Sequence, residues 1–272
     1  MIKNKIDGIA ILFFFCLYIG STQQEANAQE QAFETYKIEE FEFQGRNAKV
    51  VFPNLVNASR KWVWRARFWG HEPQVDEALL DKGYHLVYVD VAGLYGNQKA
   101  VQVWNDFYDF VTKKYELNSK AVLEGLSRGG LIIYNWAAQN TDKVACIYAD
   151  APVCDIKSWP GGLYTGIGSP KEWQECLNAY GLDEQSVSDF SEFPINTSVK
   201  VAQAKIPVIH VYGDNDKVVP HFENTERLAI NFVLAGGNIK IIRKKGIGHH
   251  PHSLEDPTPI VNFILEHSLH AE

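Results

Sequence analysis

The stretch Ala121-Val122-Leu123-Glu124-Gly125-Leu126-Ser127-Arg128-Gly129-Gly130-Leu131 decides the reading of the fold. It passes from a short apolar segment, Ala121–Leu123, through a Gly-x-Ser-x-Gly sequence into an apolar helical pattern at Leu131–Ala138. A serine between a strand and a helix presents its hydroxyl only from a tight turn, where flanking side chains collide with the neighbouring strand and helix. On this reading Gly125 and Gly129 remove those side chains, and Gly130 adds clearance. The turn also aims the backbone N–H of Arg128 outward at a helix N-terminus, where the helix dipole favours a developing negative charge. Ser127 is the candidate nucleophile.

Working outward, strand and helix patterns alternate. Tyr36–Phe43 and Lys49–Phe52 read as an opening pair of strands, and Trp62–Phe68 as a β-rich run. Pro73–Lys82 is helix-like with Gly83 as its stop, and Tyr84–Val89 is a buried strand. Lys99–Tyr115 carries apolar residues at Val101, Trp104, Phe107, Tyr108 and Val111, a helical stripe. Val144–Ala149 is a strand, and Pro207–Tyr212, Phe222–Leu234, Ile239–Ile242 and Ile260–Leu269 read strand, helix, strand, helix. Such alternation predicts an α/β fold: one domain of three layers, with a mostly parallel central sheet covered by helices on both faces. Its chemistry is expected at the carboxyl ends of the strands.

A serine hydroxyl needs a base, and the base an orienting acid. The strand at Pro207–Tyr212 runs into Gly213-Asp214-Asn215-Asp216-Lys217-Val218-Val219-Pro220, and the last strand into Gly246-Ile247-Gly248-His249-His250-Pro251-His252. With Ser127, these residues resemble the α/β-hydrolase family, through its Gly-x-x-Asp-x-x-Val-Pro acid loop and its Gly-x-Gly-His loop. The resemblance implies Asp216 as acid and His249 as base. Asp214 is the competing acid and His250 the competing base, with His250 and His252 otherwise residues of the cleft wall. It also implies an oxyanion hole from the N–H of Arg128 and a second N–H, from Phe68 or Trp69, in a loop that lacks the His-Gly-Gly sequence of many lipases. Residues 151–205 stand where the family inserts a lid, and their loop-rich composition predicts a short cap. Within it, Trp159 and Tyr164 offer flat faces to a sugar or aryl ring.

Composition removes other classes. The 272 residues are 46% hydrophobic and 22% charged, and 26 Lys plus Arg against 33 Asp plus Glu leave a net charge of −7. An acidic chain is a poor nucleic-acid binder. Three clustered histidines invite a metal, but no H-E-x-x-H or Cys-x-x-Cys accompanies them, and His71-Glu72 is followed by Val75 where a second histidine would stand. Neither a dinucleotide loop nor a phosphate loop is present, so the expectation is chemistry without metal or cofactor. Lys3 and Lys5, the apolar run Ile9–Gly20 and the small-x-small end Ala26-Asn27-Ala28 read as a signal peptide over residues 1–28. Twelve residues rise only ~18 Å as a helix, short of the roughly 30 Å hydrocarbon layer. The mature domain is then 29–272, periplasmic or secreted, with no membrane span after cleavage. Its cysteines are Cys146, read as a buried thiol, and Cys154 and Cys176, whose placement around a loop-rich segment allows a pair.

The expected function is an exported serine hydrolase of carboxylic esters working through an acyl-enzyme. Similarity to secreted bacterial carbohydrate esterases implies an acetyl, feruloyl or methyl ester on a small molecule or polysaccharide. The motifs are also similar to the catalytic domain of prolyl-oligopeptidase-like enzymes, which implies a peptidase as the alternative. A non-catalytic binding module is the third reading, and an intact Ser, Asp and His set argues against it.

Overall fold

The computed structural model describes residues 32–268, and the signal-peptide expectation for residues 1–28 falls outside them. Eight strands form one sheet: β1 (Lys37–Phe43), β2 (Arg46–Phe52), β3 (Trp62–Arg65), β4 (His85–Val89), β5 (Ala121–Leu126), β6 (Val144–Asp150), β7 (Val208–Gly213) and β8 (Ile239–Lys244). Their order is β1-β2-β4-β3-β5-β6-β7-β8. The β1–β2 and β2–β4 pairs are antiparallel, and every pair from β4 to β8 is parallel. The mostly parallel sheet of an α/β-hydrolase is what the sequence predicts. Burial explains the patterning: β3 to β7 are buried along their whole length and read as apolar runs, whereas β1 alternates because one of its faces is open.

Helices α1 (Gln74–Leu80) and α7 (Thr258–Ser268) cover one face. Helices α2 (Gln98–Tyr115), α3 (Gly129–Ala137), α5 (Pro194–Gln203) and α6 (Thr225–Leu234) cover the other. The side chain of Asn97 caps α2 by accepting from Ala100 N at 3.0 Å, supplying one of the partners that a helix start lacks. The second face is built on aromatic rings: Trp64 of β3 stacks on Trp104 of α2 at 3.9 Å between centroids, and Trp136 of α3 meets Trp64 edge-on at 5.2 Å. No helix among the described residues is long and apolar enough to cross a membrane.

One expectation about residues 151–205, the Cys154–Cys176 pair, is corrected. The segment is mostly loop and turn and carries two helices, α4 (Pro170–Tyr180) and α5, each opened by a proline at its start. Trp159-Pro160-Gly161-Gly162 and its neighbours make the first half a loop, and α4 shows only a narrow apolar stripe of Trp173, Cys176 and Leu177. Cys154 and Cys176 are free thiols. Cys154 packs with the sheet-side core and Cys176 with Trp173 and Leu177 under the cap, so the two belong to separate apolar clusters. Burial pushes both thiols up, Cys176 to about 12, and makes them inert fillers.

One polar cluster lies inside the sheet. Arg65, at the end of β3, is fully buried; its Nη1 donates to Asp76 of α1 and, at 2.9 Å, to Glu124 of β5. Its remaining donors serve the following loop: Nε reaches the carbonyls of Phe68 at 3.0 Å and Arg67 at 3.3 Å, and Nη2 that of His71. One guanidinium cannot neutralise two dry carboxylates. Burial and the adjacent Asp76 charge hold Glu124 well above the usual carboxylate range, so it is the protonated partner. Glu124→Gln is therefore expected to cost less than about 1 kcal/mol, because a neutral amide replaces a neutral acid. Arg65→Met strands the Asp76 charge and is expected to cost about 3–5 kcal/mol. Urea denaturation midpoints of the two variants measure the difference.

Candidate active site

Ser127 stands between β5 and α3 with a φ of 50°, a left-handed conformation that costs a non-glycine residue on the order of 1–2 kcal/mol. The backbone enforces it from both sides: Ser127 N donates to Asp150 O at 2.8 Å, and Ser127 O accepts from Val153 N at 2.9 Å. A Cβ on Gly125 would lie 2.7 Å from Ile133 Cδ1 and 2.9 Å from the backbone of Gly129. A Cβ on Gly130 would lie 2.7 Å from Pro152 Cβ and 2.8 Å from Val153 O. Gly129 is different. Its Cβ would meet Ala66 and Arg67 at 3.5 Å, an ordinary contact, so the clearance assigned to Gly129 belongs to Gly130.

The acid and base arrive on loops after β7 and β8, at the same sheet edge. His249 Nδ1 lies 2.7 Å from Asp216 Oδ2, and His249 Nε2 lies 3.0 Å from Ser127 Oγ. A carboxylate only accepts, so Nδ1 carries the proton and Nε2 is left as the acceptor for the serine hydroxyl. The other oxygen of Asp216 accepts from Val218 N at 2.8 Å and Val219 N at 2.9 Å, which fixes the carboxylate plane. The Ser-His-Asp set therefore has hydrogen-bonded geometry in the unliganded chain.

The competitors have other partners. Asp214 accepts from Arg243 Nε at 2.9 Å and Gly246 N at 2.6 Å, and that pairing with Arg243 holds its carboxyl below the usual range. It closes the turn after β8, bonded to Arg243 and Gly246 and not to His249. His252 is buried, with Nδ1 2.9 Å from Asp150 Oδ1, while Asp150 Oδ2 accepts from Ser253 N at 2.8 Å and Tyr148 Oη at 2.9 Å. This second His–carboxylate pair, set behind His249 at 4.9 Å between ring centroids, anchors the base loop to the end of β6. His250 lines the cleft; burial together with the imidazoles of His252, His249 and His71 pushes it down to about 4, so it is neutral at neutral pH.

The cleft has a volume of about 400 Å³, lined by Ser127, His249, Phe68, Trp159, Arg128 and His250 among others. Arg128 follows the nucleophile and precedes α3, as an oxyanion donor must. Because Arg65 draws the carbonyls of Arg67 and Phe68 toward itself, the N–H groups of Phe68 and Trp69 lie on the opposite sides of those trans peptide planes. The Phe68 ring faces the cleft. The Trp69 ring does not: it packs on Phe33 at 5.2 Å and Tyr88 at 5.4 Å. Trp159 lines the cleft, while Tyr164 lies outside that lining, its hydroxyl donating to Asp155 at 3.1 Å.

Sequence reasoning passed over His71, Glu172 and Val218, which also line the cleft. Val218 sits inside the acid-loop motif and was the most findable. Glu172 comes from α4, where it pairs with the Arg128 side chain, and nothing in the sequence links those two positions.

A model of the prolyl oligopeptidase family matches residues 76–268, well over half of the chain. The chain belongs to the prolyl oligopeptidase family. It is a serine hydrolase of that family, and no curated protein sequence matches it. Among solved structures it is similar to a puromycin-hydrolyzing peptidase of Mycobacterium tuberculosis, with a TM-score of 0.67 and 14% identity over 88% of this chain and 40% of that one. It is similar to dipeptidyl peptidase 4 of Porphyromonas gingivalis, with a TM-score of 0.63 and 15% identity over 85% of this chain and 35% of that one. Acylaminoacyl peptidase of Pyrococcus horikoshii gives 0.58 and 15% over 79% and 37%. At these identities the shared property is the fold, and the chain spans two fifths or less of each of these three structures. The family match favours the peptidase-like alternative over the carbohydrate-esterase expectation.

Two predictions follow from this geometry. Gly130→Ala should lower stability by about 1–3 kcal/mol through the clash with Pro152 and Val153, whereas Gly129→Ala should leave it unchanged or raise it by up to about 1 kcal/mol; thermal melting distinguishes them. Asp216→Asn should reduce kcat about 10⁴-fold by favouring the wrong imidazole tautomer. Asp214→Asn should leave kcat within about threefold of the parent, because Asp214 touches no reacting group.

Proposed function

We propose that this member of the prolyl oligopeptidase family is a peptidase-type serine hydrolase that cleaves an amide bond in a short peptide or acylated amino-acid substrate. The observation that carries the reading is the preassembled Ser127–His249–Asp216 relay, at 3.0 and 2.7 Å, opening onto a cleft of about 400 Å³ in a chain of this family. The similar structures, a puromycin-hydrolyzing peptidase, a dipeptidyl peptidase and an acylaminoacyl peptidase, support amide substrates.

In this reading Ser127 Oγ attacks the substrate carbonyl as its proton passes to His249 Nε2. The oxyanion is received by the N–H of Arg128 and an N–H of the Phe68–Trp69 segment. His249 then gives its proton to the departing amine, leaving an acyl-enzyme on Ser127, and a water activated by the same Nε2 releases the acid. Asp216 holds the tautomer throughout and offsets the imidazolium charge.

A second reading, ester hydrolysis on a carbohydrate, is favoured by one observation. Phe68 and Trp159 both line the cleft beside Ser127, and aromatic side chains of this kind pack on sugar rings. The pattern of residues 1–28 supports an exported enzyme, periplasmic or secreted, under either reading.

The test assays one preparation on dipeptidyl and acylaminoacyl anilides and on acetylated and methyl-esterified polysaccharides. Anilide cleavage, reduced at least about a thousandfold in Ser127→Ala, is the expected outcome. Release of acetate or methanol with no anilide cleavage would replace this reading with the ester one.

A further inference from the structure

The sequence holds two histidine features that are far apart in the chain, His71-Glu72 after β3 and His249-His250-x-His252 after β8. The parallel sheet brings both loops to one edge. One ligand atom from each of His71, Glu72 and His250 lies within 4.8 Å of the others, and the same holds for His249, His250 and His252. The ring of His71 meets those of His250 and His252 edge-on at 5.6 and 6.1 Å. Seen in the chain alone, His71-Glu72 lacks a second histidine at position 75; in the fold, His250 stands in that role.

Donor accounting chooses between the two groups. His249 has both nitrogens committed, Nδ1 to Asp216 and Nε2 to Ser127. His252 has Nδ1 on Asp150. An ion on that group would have to dismantle the catalytic relay. In the other group, Glu72 Oε2 accepts from His252 N at 2.5 Å and lies 3.5 Å from His71 Nε2, so that pairing is within the group itself, and His250 is exposed. We propose that His71, Glu72 and His250 form a binding site for a divalent cation of the Zn²⁺ class at the rim of the cleft, and that its occupation switches the hydrolase off.

Two imidazoles and a carboxylate suit Zn²⁺ and disfavour Mg²⁺ or Ca²⁺, which want oxygen ligands. Zn–N and Zn–O bonds of about 2.0–2.2 Å in tetrahedral geometry put ligand atoms about 3.4 Å apart. The three side chains therefore close by an ångström or so, with a water in the fourth position. The cation would tie the loop bearing Phe68 to the loop bearing His249. His71 and His250 also line the cleft that holds Ser127 and His249, so the ion and its water take up space that a substrate needs.

The test uses the full chain, stripped with EDTA and exchanged into chelator-free buffer. ZnCl₂ is titrated by calorimetry, and in parallel against turnover of a small activated ester. The expected result is one ion per chain, with turnover lost along the binding curve and restored by EDTA. His71→Ala, His250→Ala and Glu72→Gln should each weaken binding at least about tenfold, while His249→Ala binds as the parent does. Glu72→Gln keeps an oxygen for His252 N and so decides the matter if His71→Ala fails to fold. The proposal is overturned if no saturable binding is seen below about 0.1 mM. It is equally overturned if His249→Ala abolishes binding while Glu72→Gln retains it, which would put the ion on the relay itself. Because binding is read directly, the result does not depend on whether amides or esters are the substrate.

Discussion

Everything at the cleft rim on the β3 side depends on a single dry cation. Arg65 sits in the middle of the sheet, where an unpaired charge would cost several kcal/mol, and it is tolerable only because Asp76 and Glu124 surround it. Its reach beyond those carboxylates gives it a functional consequence. By collecting the carbonyls of Arg67, Phe68 and His71, one planar fork sets the peptide planes of the loop that follows β3. Phe68 has a φ of 53°, and a loop in that conformation needs such an anchor to persist. The orientation of the Phe68 and Trp69 peptide groups is thus decided inside the protein core, by a buried ion cluster.

Asp150 plays the matching part on the other side. It ends β6, gives its backbone carbonyl to Ser127 N, and gives its carboxylate to His252, Ser253 and Tyr148. Nucleophile and base therefore share one support. A shift of β6 moves both together and preserves the 3.0 Å contact between them. The acid has a support of its own in the backbone of Val218 and Val219. The nucleophile and base loops keep a common geometry because each is tied to the end of β6 by an amide or charged hydrogen bond, while the acid is held by the backbone of its own loop.

What was legible in the sequence is what is local. A buried parallel strand shows as an apolar run, and the elbow shows as glycine, serine and glycine between a strand and a helix, so the fold and Ser127 were readable. Asp216 and His249 were readable through family spacing. Failures cluster where a residue's role depends on what another segment brings. Gly129 and Gly130 are equivalent in the sequence, and only the approach of Pro152 and Val153 makes the second indispensable. Cys154 and Cys176 flank the same segment in the chain yet belong to separate apolar clusters. Trp69 and Tyr164 are as aromatic as Phe68 and Trp159, and which ring faces the cleft is set by packing against Phe33, Tyr88 and Asp155. Composition cannot carry that information, because direction is a property of the backbone path.

The arrangement around Arg128 links the cap to the chemistry. Its backbone follows Ser127 at the start of α3, while its guanidinium is paired with Glu172 of α4 and sits among the rings of Phe68, Tyr95 and Trp159 at 5.9, 5.6 and 5.7 Å. Glu172 in turn accepts from Tyr95 Oη at 2.5 Å. The residue beside the nucleophile is therefore also the fastening for the cap. Trp159 of the cap packs on the same guanidinium, so under the proposed mechanism the residue that offers its N–H to the oxyanion is also the one that the cap holds in place.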